Sequence, residues 1–190
     1  MNKRELFLKT YYDYTPEGKS NIYTPRQIRD KLTKYIKPKD NILILYTFEC
    51  IPDIINQDVN IVFISDDTAR NKLVHASYGI ETKYIQDVKD IKKELKGMKF
   101  DLIIGNPPYN NNLDLKILKE VYDLGDRICM VHPAGWIYDN KCRNKLFNFT
   151  RELVKQHYIS FDKIENANKI FNIGNRAAIG ISYIDKTTTG

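Results

Sequence analysis

None of the nine glycines falls between Gly18 and Gly79, which excludes a glycine-rich, ligand-cradling turn from that whole stretch. Cysteine is equally sparse. Cys50, Cys129 and Cys142 are odd in number, scattered, and without a CxxC pair, so neither a disulfide framework nor a cysteine zinc site is expected. His75, His132 and His157 are as dispersed. Metal ligation needs clustering, and all six residues are read as structural, with no metal expected. No apolar run approaches the length of a membrane span. The opening MNKRELFLKTYYDY lacks the apolar core of a signal peptide, and a cytoplasmic setting is the default expectation. Repeats, low-complexity tracts and Pro/Gly-rich linkers are missing too.

What remains is ordinary globular material: 190 residues, 42% hydrophobic and 28% charged, enough for one domain with a real core. The net charge of +6 suits a polyanionic partner and equally suits a solvated basic surface. The 13 tyrosines offer stacking surfaces or simple packing. Short β-rich runs alternate with helical patterns, the mark of an α/β fold with a mainly parallel sheet. The runs fall at 41–46, 60–65, 82–86, 100–105, 127–132, 158–164 and 177–184, with helical stretches near 50–57, 67–77, 87–96, 113–123 and 139–155. Before them, TPRQIRDKLTKYIK (24–37) predicts a helix with Thr24 as N-cap, Pro25 at its first position and Gln27 completing a capping box. The last two strands lie about a dozen residues apart without a helical pattern, room for an antiparallel return. The expectation is a doubly wound, seven-stranded, mostly parallel Rossmann-like sheet with an antiparallel last strand. Such sheets bind ligands beyond the carboxyl ends of their strands.

Asn106-Pro107-Pro108-Tyr109 follows the apolar run FDLIIG at such an end. A plain turn would need Asn and Pro, but not this order closed by an aromatic residue. The chemistry these residues suit is methylation of a conjugated amine, whose lone pair is poorly available for attack. Two rigid acceptors, the side-chain oxygen of Asn106 and the carbonyl of Pro107, can bind the amine hydrogens and offset the positive charge that grows on nitrogen. Tyr109 offers a ring face to an extruded base.

On these residues the chain resembles the gamma-type N6-adenine DNA methyltransferases of restriction–modification systems. NPPY matches their catalytic motif, and IYTPRQI (22–28) is similar to their N-terminal Thr-Pro element. RICMVHPAGWI (127–137) is similar to their fifth-strand segment, and KIFNIGNRAAIGISYI (169–184) to their terminal hairpin. The resemblance implies S-adenosylmethionine as cofactor and DNA as partner, with the target adenine flipped into the NPPY pocket. It places Thr24, Pro25, Asp66 or Asp67, Asp87 and Asn106 at the cofactor, and Phe171 on the second face of the base. Arg176 is a candidate phosphate contact, as are Lys141 and Arg143, which equally suit a solvated helix start.

Two features depart from that pattern. The family's first strand ends in a glycine-rich turn, whereas this chain reads NILILYTFECIPDII, with Phe48 and Cys50 where glycines are expected and Glu49 or Asp53 as substitute acids. Phe48 is expected to project toward the pocket. Residues 1–23 read as an N-terminal segment and 24–185 as the methyltransferase-like domain, with no separate target-recognition domain visible. Base recognition would then fall to inserted loops, a specificity subunit or a missing domain. The alternative function is a catalytically inactive methyltransferase-like module for nucleic-acid or protein binding. A third reading is protein-glutamine methylation, because release-factor methyltransferases share NPPY.

Overall fold

Ile42, Leu43, Ile44 and Leu45 are all fully buried, and their alternation divides the core in two. Ile42 and Ile44 join a cluster with Ile28, Leu32, Ile54, Val74 and Phe171, while Leu43 and Leu45 join Ile91, Leu118, Trp136 and Leu153 on the other face. A strand apolar on both sides needs helices on both faces of its sheet. The molecule supplies them. The computed structural model describes residues 24–133, 135–138, 145–156, 158–171 and 178–188.

Among these residues the strands are β1 (Asn41–Leu45), β2 (Asn60–Ser65), β3 (Glu81–Tyr84), β4 (Phe100–Gly105), β5 (Gly125–Pro133), β6 (Tyr158–Lys163) and β7 (Ile179–Asp185). They form one seven-stranded sheet in the order β3-β2-β1-β4-β5-β7-β6. β1 to β5 pair in parallel, and β7 lies antiparallel to both β5 and β6. The expected doubly wound sheet with an antiparallel last strand is the observed one. Helices α1 (Arg26–Thr33), α2 (Ile51–Ile54), α3 (Thr68–Tyr78) and α8 (Ala167–Ile170) cover one face. The other is covered by α4 (Ile91–Glu94), α5 (Leu113–Val121), α6 (Gly135–Tyr138) and α7 (Lys145–Gln156). No helix among the described residues is long and apolar enough to cross a membrane.

The first helix differs from expectation. It spans Arg26–Thr33 rather than 24–37, and Pro25, not Thr24, is its cap, without a side-chain capping bond. The Pro25 carbonyl accepts from the amides of Ile28 and Arg29. The Thr24 hydroxyl is withdrawn from capping because it bonds elsewhere, in the site described below.

The connections run one way from β1 through β2 to β3, then restart at β4 on the opposite side of β1. This makes the β1/β4 boundary the topological switch point, the place where sheets of this kind carry their ligand sites. At the other end of the sheet Arg127 is buried, pairing with Asp40 at 2.7 Å and donating to the carbonyls of Tyr35 and Asp101. It ties the α1 turn to β4 and β5, away from the switch point.

Candidate active site

Gly105 ends β4 opposite Leu45, the last residue of β1. A β-carbon at Gly105 would sit 2.8 Å from the Leu45 β-carbon and 3.1 Å from its carbonyl oxygen. Glycine therefore lets the two strands close up, and the next amide, that of Asn106, donates to the Leu45 carbonyl. The NPPY segment thus leaves the sheet at the switch point itself. Asn106 and Pro107 are buried, Pro108 and Tyr109 half-buried.

The Asn106 carboxamide is held at both ends. Its Nδ2 donates to Thr24 Oγ1 at 3.1 Å, and its Oδ1 accepts from the Tyr109 hydroxyl at 2.6 Å. The Tyr109 phenol is pushed well above its ordinary range by burial and then by the Asp114 charge, so it stays protonated and able to donate. After Tyr109 the chain turns into α5 through Asn111 and Asn112, both with left-handed backbone, a conformation asparagine tolerates better than most residues.

The turn after β1 departs from glycine chemistry in a specific way. Tyr46 takes a left-handed φ of 63°, a conformation unfavourable for an aromatic residue. It is kept there by bonds on both sides: its amide donates to the Ile64 carbonyl, and its carbonyl accepts from Arg70 Nη1 at 3.1 Å. Phe48 does not project toward the expected pocket. It is 1% exposed in the α1-side core, with the Arg70 guanidinium 5.3 Å from its ring centroid. The amides of Thr47, Phe48 and Cys50 bond to Leu45, Tyr46 and Thr47 carbonyls within the turn, so none is presented to a ligand. Asp53 pairs with buried Arg29 at 2.6 Å. Thr47 and Glu49 are buried, with Thr47 Oγ1 3.0 Å from Thr24 Oγ1 and 3.5 Å from Glu49 Oε2.

The two acids after β2 separate cleanly. Asp67 caps α3, its carboxylate accepting from the amides of Ala69 and Arg70. Asp66 is exposed. Asp87, after β3, is exposed and accepts from the Lys89 amide, closing a capping box with Asp90. For S-adenosylmethionine these residues fit one half of the molecule. Asp66 and Asp87, beyond β2 and β3, are the acids that the resemblance assigns to its ribose and adenine, whereas the turn after β1 offers hydroxyls and a buried carboxylate in place of a glycine cradle. Phe171 ends α8, 7% exposed, in the same apolar cluster against which Tyr109 packs. Lys141, Arg143 and Arg176 lie outside the described residues.

Behind the loop a buried polar group joins His132, expected to be structural, to a serine and an aspartate from other elements. His132, in β5 and fully buried, approaches Ser182 Oγ of β7 at 2.6 Å through Nε2 and Asp114 Oδ2 of α5 at 3.6 Å through Nδ1. The second distance is too long for a hydrogen bond, and Nδ1 has no bonding partner among the described residues. Burial holds the imidazole down to about 3 and lifts the Asp114 carboxyl to about 7, against the pull of the Leu115 and Asp114 amides. Trp136 stacks at a tilt on the imidazole, with centroids 5.1 Å apart. The signal in the sequence was faint: one histidine and one serine set in otherwise apolar strand runs.

Comparisons with known proteins agree with this frame. A profile described as Eco57I restriction-modification methylase matches residues 1–126. No curated protein sequence matches. Among solved structures, the 23S rRNA methyltransferase ErmE superposes with a TM-score of 0.64 at 13% identity, over 86% of this chain and 69% of that one. TrmN from Thermus thermophilus gives 0.54 at 13% identity, over 82% and 47%. A TehB-like SAM-dependent methyltransferase from Corynebacterium glutamicum gives 0.53 at 12% identity, over 96% and 97%. At these identities the likeness is one of fold.

Proposed function

The chain belongs to the Eco57I restriction-modification methylase family, and from that premise we propose that it methylates the N6 amino group of adenine in DNA, with the base flipped into the NPPY loop. The observation that carries this reading is the placement of Asn106. It stands at the β1/β4 switch point with Nδ2 spent on Thr24 and Oδ1 turned toward Tyr109. A carboxamide so fixed keeps a second lone pair of Oδ1 for an amine hydrogen, and the Pro107 carbonyl serves the other. Accepting both hydrogens draws the nitrogen toward tetrahedral geometry and offsets its growing charge, without reorganisation during the reaction. Tyr109 offers its half-buried ring to one face of the base, and Phe171 backs the same apolar cluster.

S-adenosylmethionine would supply the electrophilic methyl group. Asp66 is the residue proposed for its ribose and Asp87 for its adenine, with Thr24 and Pro25 beside the methionine end. DNA is the proposed partner, and base recognition is assigned to a specificity subunit or a further domain. The assay is transfer of labelled methyl from S-adenosylmethionine to duplex DNA with and without adenine, beside a release factor. Label on adenine-containing DNA alone supports the reading. Label on the release factor alone reassigns the substrate to a glutamine amide. If calorimetry detects no cofactor binding and neither acceptor is labelled, the fold serves as a binding module.

The two acids after β2 give a sharper expectation. Asp66→Ala should weaken S-adenosylmethionine binding by about tenfold, the worth of one charge-assisted hydrogen bond, with an unchanged melting temperature. Asp67→Ala should do the reverse, costing roughly 1 kcal/mol of stability through the lost helix cap while leaving affinity intact. Calorimetry and thermal unfolding on both variants check the pair, and a swapped result would move the ribose ligand to Asp67.

A further inference from the structure

The strand order β3-β2-β1-β4 sets four carboxyl ends side by side, bearing in turn Asp87, Asp66, the turn 46–51 and Asn106. With a ribose at Asp66 and the amine at Asn106, the sulfur that delivers the methyl group falls between them, at the end of β1. Its amino-acid arm, an ammonium and a carboxylate, then has the β1 turn and Thr24 for neighbours. Such charges are bound by free backbone amides, hydroxyls or side chains of opposite sign. This turn is closed on itself. The Tyr46 amide donates to the Ile64 carbonyl, and the amides of Thr47, Phe48, Cys50 and Ile51 donate in that order to the carbonyls of Leu45, Tyr46, Thr47 and Phe48. Thr47, Phe48, Glu49, Cys50 and Ile51 are each at most 2% exposed, main chain included, so they offer a ligand no surface. Thr24 is as deeply buried. Its hydroxyl bonds Asn106 and Thr47, and its carbonyl accepts from Arg29 Nη1 at 2.9 Å. Asp53 and buried Arg29 pair with each other. The acids beyond β2 and β3 are differently placed. Asp66 is exposed and makes no hydrogen bond or ion pair among the described residues, and Asp87 is exposed too.

We propose that the cofactor is held by its nucleoside half alone, through Asp66 and Asp87, so that the site accepts adenosine thioethers with or without the amino-acid arm. The amine-methylation reading, on which this rests, gives those two acids their tasks. A turn that received both charges of the arm would contribute on the order of 10²-fold or more in affinity. The closed turn contributes none of it, and a ligand cut short at sulfur binds as well as a whole one. The left-handed Tyr46 and its bond to Arg70 keep the turn in this form.

Calorimetry on the whole chain with S-adenosylhomocysteine and 5′-methylthioadenosine tests this. Both are uncharged at sulfur, and they differ in whether sulfur carries the amino-acid arm or a methyl group. Their Kd values should agree within about fivefold, less than one hydrogen bond to a charged group supplies. Asp66→Ala should weaken both by the same factor, about tenfold. In hydrogen exchange, the amides of Thr47, Phe48 and Cys50 should be protected without ligand and unchanged when S-adenosylhomocysteine is added. A preference for S-adenosylhomocysteine beyond that margin would overturn the proposal, as would turn amides that gain protection on binding. Either result alongside methyl transfer to DNA leaves the functional reading standing. Binding of neither compound, together with no methyl transfer, sinks that reading and the proposal with it.

Discussion

Asn106→Ala should reduce methyl transfer at least 10²–10³-fold, the cost of losing one preorganised group that stabilises developing charge, while the fold survives. The expectation has two parts because the side chain has two bonding ends. Toward the substrate, Oδ1 is the acceptor that carries the proposed chemistry, and alanine offers nothing in its place. Toward the protein, the substitution strands the Tyr109 hydroxyl, which now donates to Oδ1, and leaves Thr24 Oγ1 with Thr47 as its remaining hydroxyl partner. Leaving buried polar groups unpaired costs about 1–3 kcal/mol, a loss that a core of this size withstands. The signature is therefore a collapse of kcat with a moderate drop in urea midpoint and an unchanged m-value. Binding of S-adenosylmethionine should be largely retained, since the Asp66 and Asp87 side chains lie beyond other strands. Near-parental turnover in Asn106→Ala would end the assignment of this loop as the catalytic one.

The residues that were legible in the sequence are those whose chemistry and position are both local. FDLIIG reads as a buried strand because six residues suffice to show it, and NPPY follows it without a gap. The succession of strands along the chain was legible for the same reason, each being a short β-rich run, whereas their order across the sheet was not. Thr24 was misread because a threonine before proline and a helix is locally a good cap. The bond that overrides this comes from Asn106, 82 residues later in the chain, and no window along the sequence contains both. Phe48 was expected to face the pocket because only its place in the motif was visible. Its partners Ile28, Phe63 and Val74 come from three other elements, and they turn the ring into the core. The choice between Asp66 and Asp67 rested on which one faces the first turn of α3, a matter of backbone geometry that adjacent identical residues cannot display. His132, Ser182 and Asp114 are single polar residues on separate elements, and only the sheet order brings them together.

That buried group should govern how stability responds to pH. The Asp114 carboxyl is raised to about 7 in the folded protein by burial, so its contribution is fully present below its unfolded value near 4 and is lost as pH rises through 7. The His132 imidazole is lowered to about 3, again by burial. Its contribution is present above the unfolded value near 6.5 and is lost as pH falls toward 3. Near pH 5 the folded chain keeps one proton on Asp114 and none on His132, whereas the unfolded chain does the opposite. The two slopes cancel, and this pair leaves stability flat with pH over roughly 4.5 to 6.5. Single substitutions should break the cancellation. In Asp114→Asn only the histidine remains, so stability should decline as acid is added below pH 6.5. In His132→Gln only the carboxyl remains, so stability should decline as pH rises from 4 to 7. Each unbalanced group spans about three pH units at about 1.4 kcal/mol per unit, which sets the swing on the order of 4 kcal/mol. Urea unfolding of both variants against the parent across pH 4 to 8, taken as difference curves, removes the titration of every other group. Difference curves that slope in opposite senses would show that the pair sits neutral beneath the NPPY loop. Flat curves would mean that neither group titrates differently in the folded and unfolded chains, and the environment assigned to Asp114 beside Tyr109 would have to be given up.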